Sequence, residues 1–137
     1  MNQPPVDIIV VDDHLSVRTG LIKSLPMKGN IRIAAEACNG QEALSLASQI
    51  SADLLLLDFS LPDFSGITLI RRLKDMVPWL PILVLSMESD PDVLALAMDN
   101  GASGYILKGT RIDTLIEGIM KVAGGGTFVD PSLGKWP

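Results

Sequence analysis

Five residues carry groups that could serve one reaction: Asp12, Asp13, Asp58, Ser86 and Lys108. Three carboxylates drawn into one pocket repel one another and cannot all stay ionised cheaply without a cation. Oxygen donors, with no Cys or His pair among them, suit a hard ion, Mg²⁺ before Zn²⁺. A carboxylate in that setting can attack phosphorus as a nucleophile. A metal and a lysine ammonium would neutralise the charge that develops on the transferred phosphoryl oxygens. A serine hydroxyl could then donate to one of those oxygens. Singly these residues mean little, because acids after strands are ordinary turn formers. The chemistry depends on whether the chain gathers all five.

The elements that must gather them can be read in order. Leu54-Leu55-Leu56-Leu57 is a short apolar run between Asp53 and Asp58, followed by a turn at Pro62. It reads as a buried parallel strand rather than a helix. The β-branched run Val6 to Val11 ends on Asp12 and Asp13, Ile82 to Leu85 ends on Ser86, and Ser103 to Leu107 ends on Lys108. Ile31 to Ala37 is a further strand, weakened by Ala34 and Ala35.

Helical patterns alternate with these runs. The first spans His14 to about Leu25, stopped by Pro26 and Gly29-Asn30. Asn39 and Glu42 form a capping-box pattern ahead of the second. The third carries Ile67, Ile70, Leu73 and Met76 on one face, with Pro78 beyond its end. Asp90-Pro91 opens the fourth and Gly101 closes it. The fifth runs from about Thr110 to Ala123, ended by Gly124-Gly125-Gly126 and followed by an irregular tail.

Five strands alternating with five helices predict an α/β domain with a parallel sheet covered on both faces. Right-handed crossovers and small size favour a three-layer, flavodoxin-like (βα)5 doubly wound sheet in the order 2-1-3-4-5. In that order the first and third strands are neighbours at the switch point, where ligands bind outside the carboxyl ends. The three aspartates then converge, flanked by Ser86 and Lys108.

Composition agrees. At 137 residues, 47% hydrophobic and 20% charged, the chain is one globular domain. No apolar run approaches the roughly 18 residues of a membrane span, and the N-terminus does not read as a signal peptide. The single Cys38 is consistent with a reducing cytoplasm and reads as a small half-buried hydrophobe. A net charge of −5 with scattered Lys and Arg does not suit nucleic-acid binding by this segment alone.

Four segments carry a resemblance: Val11-Asp12-Asp13-His14, Leu57-Asp58-Phe59-Ser60-Leu61-Pro62 with Gly66, Leu85-Ser86-Met87, and Gly101-Ala102-Ser103-Gly104-Tyr105-Ile106-Leu107-Lys108. With them the chain resembles the receiver (CheY-like) domain of bacterial two-component response regulators, in wording most like the NarL/FixJ group with its LuxR-type output. The resemblance implies that Asp58 accepts a phosphoryl group from a sensor histidine kinase. It implies direct Mg²⁺ ligation by Asp13, Asp58 and the backbone carbonyl of Ser60, with Asp12 acting mainly through water. Ser86 and Tyr105 would be a switch pair, the tyrosine turning inward, and Lys108 would pair with Asp58 or its phosphate. Residues 1–126 would form the receiver and 127–137 a tail or the start of an interdomain linker, since Thr127 to Pro131 resembles that linker. DNA would be reached only through an output domain outside this chain, and the protein would be cytoplasmic.

Four positions depart from the family wording. Gly109 stands where proline often follows the lysine, Leu61 replaces a commoner methionine, and Met87 and Glu88 are bulkier or more charged than usual beside the switch hydroxyl. The fourth helix spreads Val93 to Met98 over more than half its circumference, wider than one packed face needs. It suggests homodimerisation through helix 4, strand 5 and helix 5; helices 1 and 5 are the alternative face. Arg18, inside the apolar arc of helix 1, reads as a snorkelling stem or a protein contact. His14, Glu36 and Asp63 read as solvated charges. The rival functions are an aspartate-nucleophile phosphatase or phosphotransferase and a stand-alone receiver acting by protein contact. Such enzymes usually set the nucleophile and its acid/base partner two residues apart, whereas here the first-strand acids are adjacent and Ser60 lies two after Asp58. The expectation is therefore a phosphoacceptor and not an enzyme.

Overall fold

The computed structural model describes residues 3–134. The chain runs β1 (Val6–Val11), α1 (Leu15–Lys28), β2 (Ile31–Ala37), α2 (Gly40–Gln49), β3 (Leu54–Asp58), α3 (Gly66–Met76), β4 (Ile82–Ser86), α4 (Pro91–Asp99), β5 (Gly104–Leu107), α5 (Ile112–Ala123) and β6 (Phe128–Val129). The strands form one sheet in the order β2-β1-β3-β4-β5-β6, and every pairing is parallel. The expected 2-1-3-4-5 order is present, with a sixth short strand at the edge.

Alternation along the strands builds two separate cores. Ile9, Val11, Leu55, Leu57, Ile82 and Val84 point to the side covered by α2, α3 and α4. Ile8, Val10, Leu54, Leu56, Leu83 and Leu85 point to the side covered by α1 and α5. The four leucines of β3 thus split two and two between the faces and are all buried. A side chain of this kind contributes about 1.5–3 kcal/mol when fully buried, so the central strand is held rigidly where it delivers Asp58.

Helix starts follow the local chemistry. Asn39 Oδ1 accepts the Glu42 N–H at 2.8 Å, while Glu42 Oε1 accepts the Cys38 N–H at 2.8 Å. Asp90 caps α4 through the Asp92 N–H, with Pro91 at the first helical position.

Two elements differ from expectation. Pro26 does not end α1, which continues to Lys28. Pro26 is exposed, so the carbonyl it leaves without a partner can be hydrated, and the helix closes only when the Gly29 N–H reaches Leu25 O. As far as Gly134 the tail is not irregular: Phe128 and Val129 pair with Gly104 and Tyr105, and a 3₁₀ turn follows over Pro131–Leu133, while residues 135–137 lie outside the described residues.

Gly109 has φ +88°, and among the described residues no peptide bond is cis. A Cβ there would meet nothing within 4 Å, so a substitution is opposed by the backbone alone. Gly109→Ala is expected to cost about 1–2 kcal/mol, and Gly109→Pro more, because proline holds φ near about −65°. Urea unfolding measures both. A Gly109→Pro midpoint equal to wild type would show that this turn readily takes up another conformation.

Candidate functional site

The carboxyl ends of β1, β3, β4 and β5 deliver the expected groups to one place. Register explains it: Val11 pairs with Leu57, so Asp12 and Asp58 follow side by side, and Asp58 pairs with Leu85 while Ser86 pairs with Leu107. Lys108 then lies one residue beyond β5, with its N–H donating to Ser86 O at 2.8 Å.

Lys108 Nζ lies 2.8 Å from Asp58 Oδ1 and 3.7 Å from Asp12 Oδ2. Asp58 Oδ1 also accepts the Ser60 N–H at 3.1 Å. Asp12 and Asp58 are each 1% exposed, and Oδ2 of each accepts no hydrogen bond. Asp13 stands at the open side of the cluster with a side chain 29% exposed. One ligand atom from each of Asp12, Asp13, His14 and Asp58 falls within 4.8 Å of the others. Burial, above all, holds the Asp58 carboxyl above the usual aspartate range; Lys108 and the Ser60 N–H pull it back, and Asp12 adds to the rise.

His14, set aside in the sequence as solvated, is exposed, but its Nδ1 approaches Asp13 Oδ1 at 3.1 Å and Asp12 Oδ1 at 3.3 Å. Its backbone N–H donates to Asp12 Oδ1 at 2.8 Å. Arg18, read as a snorkelling stem or a protein contact, is tied down within the domain, its side chain 14% exposed. Its Nη1 donates to the Asp12 carbonyl at 2.7 Å and its Nε to Glu36 Oε1 at 2.7 Å, fixing the loop that presents the acids. Asp63, also read as a solvated charge, accepts the Gly40 and Gln41 N–H groups and ties the loop after β3 to the start of α2. Only the Asp-Asp-His-x-x-x-Arg spacing, one helical turn long, could have hinted at the Arg18 contact.

Ser86 and Tyr105 are joined through one residue. Ser86 Oγ accepts the Glu88 N–H at 2.9 Å, and the Tyr105 hydroxyl donates to Glu88 O at 2.7 Å. Tyr105 is fully buried, turned inward with its ring edge-on to Phe59 at 6.2 Å, and burial pushes its phenol up. A cleft of about 320 Å³ opens beside the pair, lined by Phe59, Ser60, Ser86, Met87, Glu88 and Val93. Met87 is 77% exposed and so lines the cleft without filling it.

Acids at the switch point of a doubly wound sheet, with a lysine from a neighbouring strand end, define a class of domain by architecture and site together. This chain belongs to the response regulator receiver domain family, whose match covers residues 8–120. It is 32% identical over 133 residues to the transcriptional regulatory protein DegU of Brevibacillus brevis, covering 97% of this chain and 56% of that protein. It is 30% identical over 132 residues to the nitrate/nitrite response regulator NarL of Escherichia coli K12, covering 96% and 61%. The isolated receiver domain of RcsB from Salmonella enterica serovar Typhimurium, solved in the presence of the phosphomimetic BeF₃⁻, superposes with a TM-score of 0.86 at 28% identity, covering 94% of this chain and 96% of that one. The chain thus spans a little over half the length of these curated relatives. Among the described residues no helix is long and apolar enough to cross a membrane.

Proposed function

We propose that this domain is a phosphorylation-controlled switch in which Asp58 takes a phosphoryl group from a sensor histidine kinase. The observation that carries the reading is the asymmetry of Asp58: Oδ1 is held by Lys108 and the Ser60 N–H, while Oδ2 is buried and accepts nothing. The bound oxygen fixes the carboxylate, and the free one is the nucleophile. The unpartnered oxygen of Asp12, with the Asp58 carboxylate and with Asp13 at the rim, fits a hard divalent ion. Asp12, Asp13, Asp58 and the Ser60 carbonyl would hold Mg²⁺, which when bound would supply neutralisation of the developing negative charge.

The chain's own groups account for the remaining roles. Attack by Asp58 forms the acyl phosphate as the bond to the donor breaks, and Lys108 balances the added charge. The Ser86 hydroxyl, held by the Glu88 N–H, is the group free to turn and donate to a phosphoryl oxygen. That turn would release the Glu88 backbone, to which Tyr105 is also bonded, and so pass the change to the loop before α4. Exposed apolar side chains that a second copy could cover include Leu96 on α4 and Met120 on α5, and Leu15 and Val17 on α1. Similarity to DegU and NarL supports control of transcription through a separate DNA-binding segment. The adjacent first-strand acids lack an Asp-x-Asp partner, which favours a stoichiometric acceptor over a turnover enzyme.

Incubation with Mg²⁺ and a small phosphodonor should add one phosphoryl mass, and Asp58→Asn should add none. Equal gain by the variant would overturn the assignment. Multiple turnover of phosphate esters would favour the phosphatase.

A further inference from the structure

The segment after α5 is fastened to the strand end that carries Lys108. Phe128 and Val129 lie parallel to β5, the Phe128 N–H donates to Ser103 O at 3.1 Å, and the Asp130 N–H donates to Tyr105 O at 2.8 Å. The Asp130 side chain continues where the short strand stops. Its Oδ2 accepts the Leu107 N–H at 3.0 Å, and its Oδ1 accepts the Ser132 N–H at 3.0 Å and the Ser132 hydroxyl at 2.8 Å. Asp130 is 2% exposed, although it is remote in sequence from the acids of the phosphoryl site.

The pattern of donors around Lys108 gives this contact its meaning. On the inner side the Lys108 N–H is held by Ser86 O in β4. On the outer side the preceding Leu107 N–H would be a bare donor at the end of an edge strand, and Asp130 takes it. Lys108 is followed by Gly109 at φ +88°, so its backbone is anchored from the N-terminal side and through β4. Leu107, Lys108, Gly109, Asp130 and Ser132 line one open cleft of about 310 Å³ together with Thr110 and Arg111. The strand end that carries Lys108 and the segment after β6 therefore share one hydrogen-bonded junction.

We propose that Asp130 is a positioning residue for Lys108, and that through it the Pro131–Leu133 turn is coupled to the state of the acidic site. The coupling rests on the reading of Asp58 as phosphoacceptor; the positioning contact does not. Charge added at Asp58 draws on Lys108, the end of β5 adjusts, and the Asp130 carboxylate carries the adjustment into the chain beyond β6.

Substitutions in the full chain separate this from a local cap. Asp130→Ser keeps a short acceptor for the Ser132 N–H but cannot reach Leu107, whereas Ser132→Ala leaves the Leu107 contact intact. Asp130→Ser is expected to gain phosphoryl from a small donor about tenfold more slowly, within the roughly hundredfold that misplacing a group by about 1 Å can cost. Asp130→Asn, which retains one acceptor oxygen, should recover part of that loss, and Ser132→Ala should behave as wild type. Addition of beryllofluoride with Mg²⁺ should shift the backbone amide resonances of Ser132, Leu133 and Gly134 in wild type and in Ser132→Ala. In Asp130→Ser the shifts should stop at β5. Wild-type rate and wild-type shifts in a folded Asp130→Ser, or in Asp130→Asn should the serine variant not fold, would overturn the proposal. If wild type itself gains no phosphoryl group, the Asp58 reading fails, and exchange of the Leu107 amide still decides the contact. It should be slow in wild type and Ser132→Ala and at least about tenfold faster once the Asp130 carboxylate is gone, the factor that one lost hydrogen bond represents; equal exchange would refute the contact.

Discussion

With divalent ions chelated at pH 8, Asp58→Asn is expected to melt above the wild-type domain. The gain should be about 1–2 kcal/mol, or roughly 3–8 °C in Tm for a chain of this size. Asp58 and Asp12 each bury a carboxylate oxygen with no hydrogen bond, and the two acids share a single ammonium. The asparagine removes one of the buried charges. It also frees Lys108, but that side chain is 18% exposed and still faces Asp12, so the ammonium is not stranded. The pH dependence has a definite sign. Because burial raises the folded Asp58 carboxyl above its ordinary value, the folded state holds that proton more tightly than the unfolded chain. Its favourable contribution is complete below the ordinary aspartate value and is lost as pH rises through the raised folded value. Wild type in chelator should therefore lose stability relative to Asp58→Asn across that window, and Mg²⁺ should restore wild type far more than the variant. Melting curves at pH 5 and pH 8, with and without Mg²⁺, measure all of this. A variant that melts below wild type in chelator at pH 8 would mean that the pair with Lys108 outweighs the cost of burial.

That an unpartnered buried carboxylate oxygen sits where an apolar strand stops bears on which parts of the molecule were legible in sequence. The apolar runs of β1, β3 and β4 are strong signals because each strand is buried on both faces, and each ends abruptly on a polar group with a chemical use. Asp12, Asp13, Asp58, Ser86 and Lys108 could be found because strand order alone brings strand ends together. Groups that act through backbone atoms leave no such trace. The contacts of Arg18 with the Asp12 carbonyl, of Tyr105 with the Glu88 carbonyl and of Asp130 with the Leu107 N–H depend on where a main-chain group points. Composition and periodicity say nothing about that. Phe128-Val129 is too short to show a strand period, and its pairing is imposed by the open edge of β5. Pro26 misled because its cost, one lost hydrogen bond and a clash with the carbonyl four residues back, is local, and the chain stays helical for two residues beyond it to Lys28.

The second large effect is expected at Lys108, and it has two opposite faces. Lys108→Met removes the ammonium 2.8 Å from Asp58 and 3.7 Å from Asp12 and replaces it with an apolar chain of similar length. Phosphoryl gain from a small donor should fall by about 10²–10³, the usual loss when one preorganised charge-stabilising donor is deleted. Part of that loss arises before any chemistry, because Lys108 is the main influence opposing the burial of the Asp58 charge, so the nucleophile becomes less ionised near neutral pH. Raising the pH should recover that part and leave the rest. Mg²⁺ should behave the other way: with the competing cation gone, the acidic cluster should bind it about tenfold more tightly, since a unit charge several ångströms away is worth on the order of 1.4 kcal/mol or more in a partly buried site. Lys108→Arg should not restore the rate, because a planar guanidinium cannot put a point charge in the space of the ammonium. Mass-resolved kinetics of phosphoryl gain and calorimetric titration of Mg²⁺ separate the two faces. Slower transfer with tighter Mg²⁺ places Lys108 on the developing phosphoryl charge, whereas a parallel loss of both would make the lysine a scaffold for the acids instead.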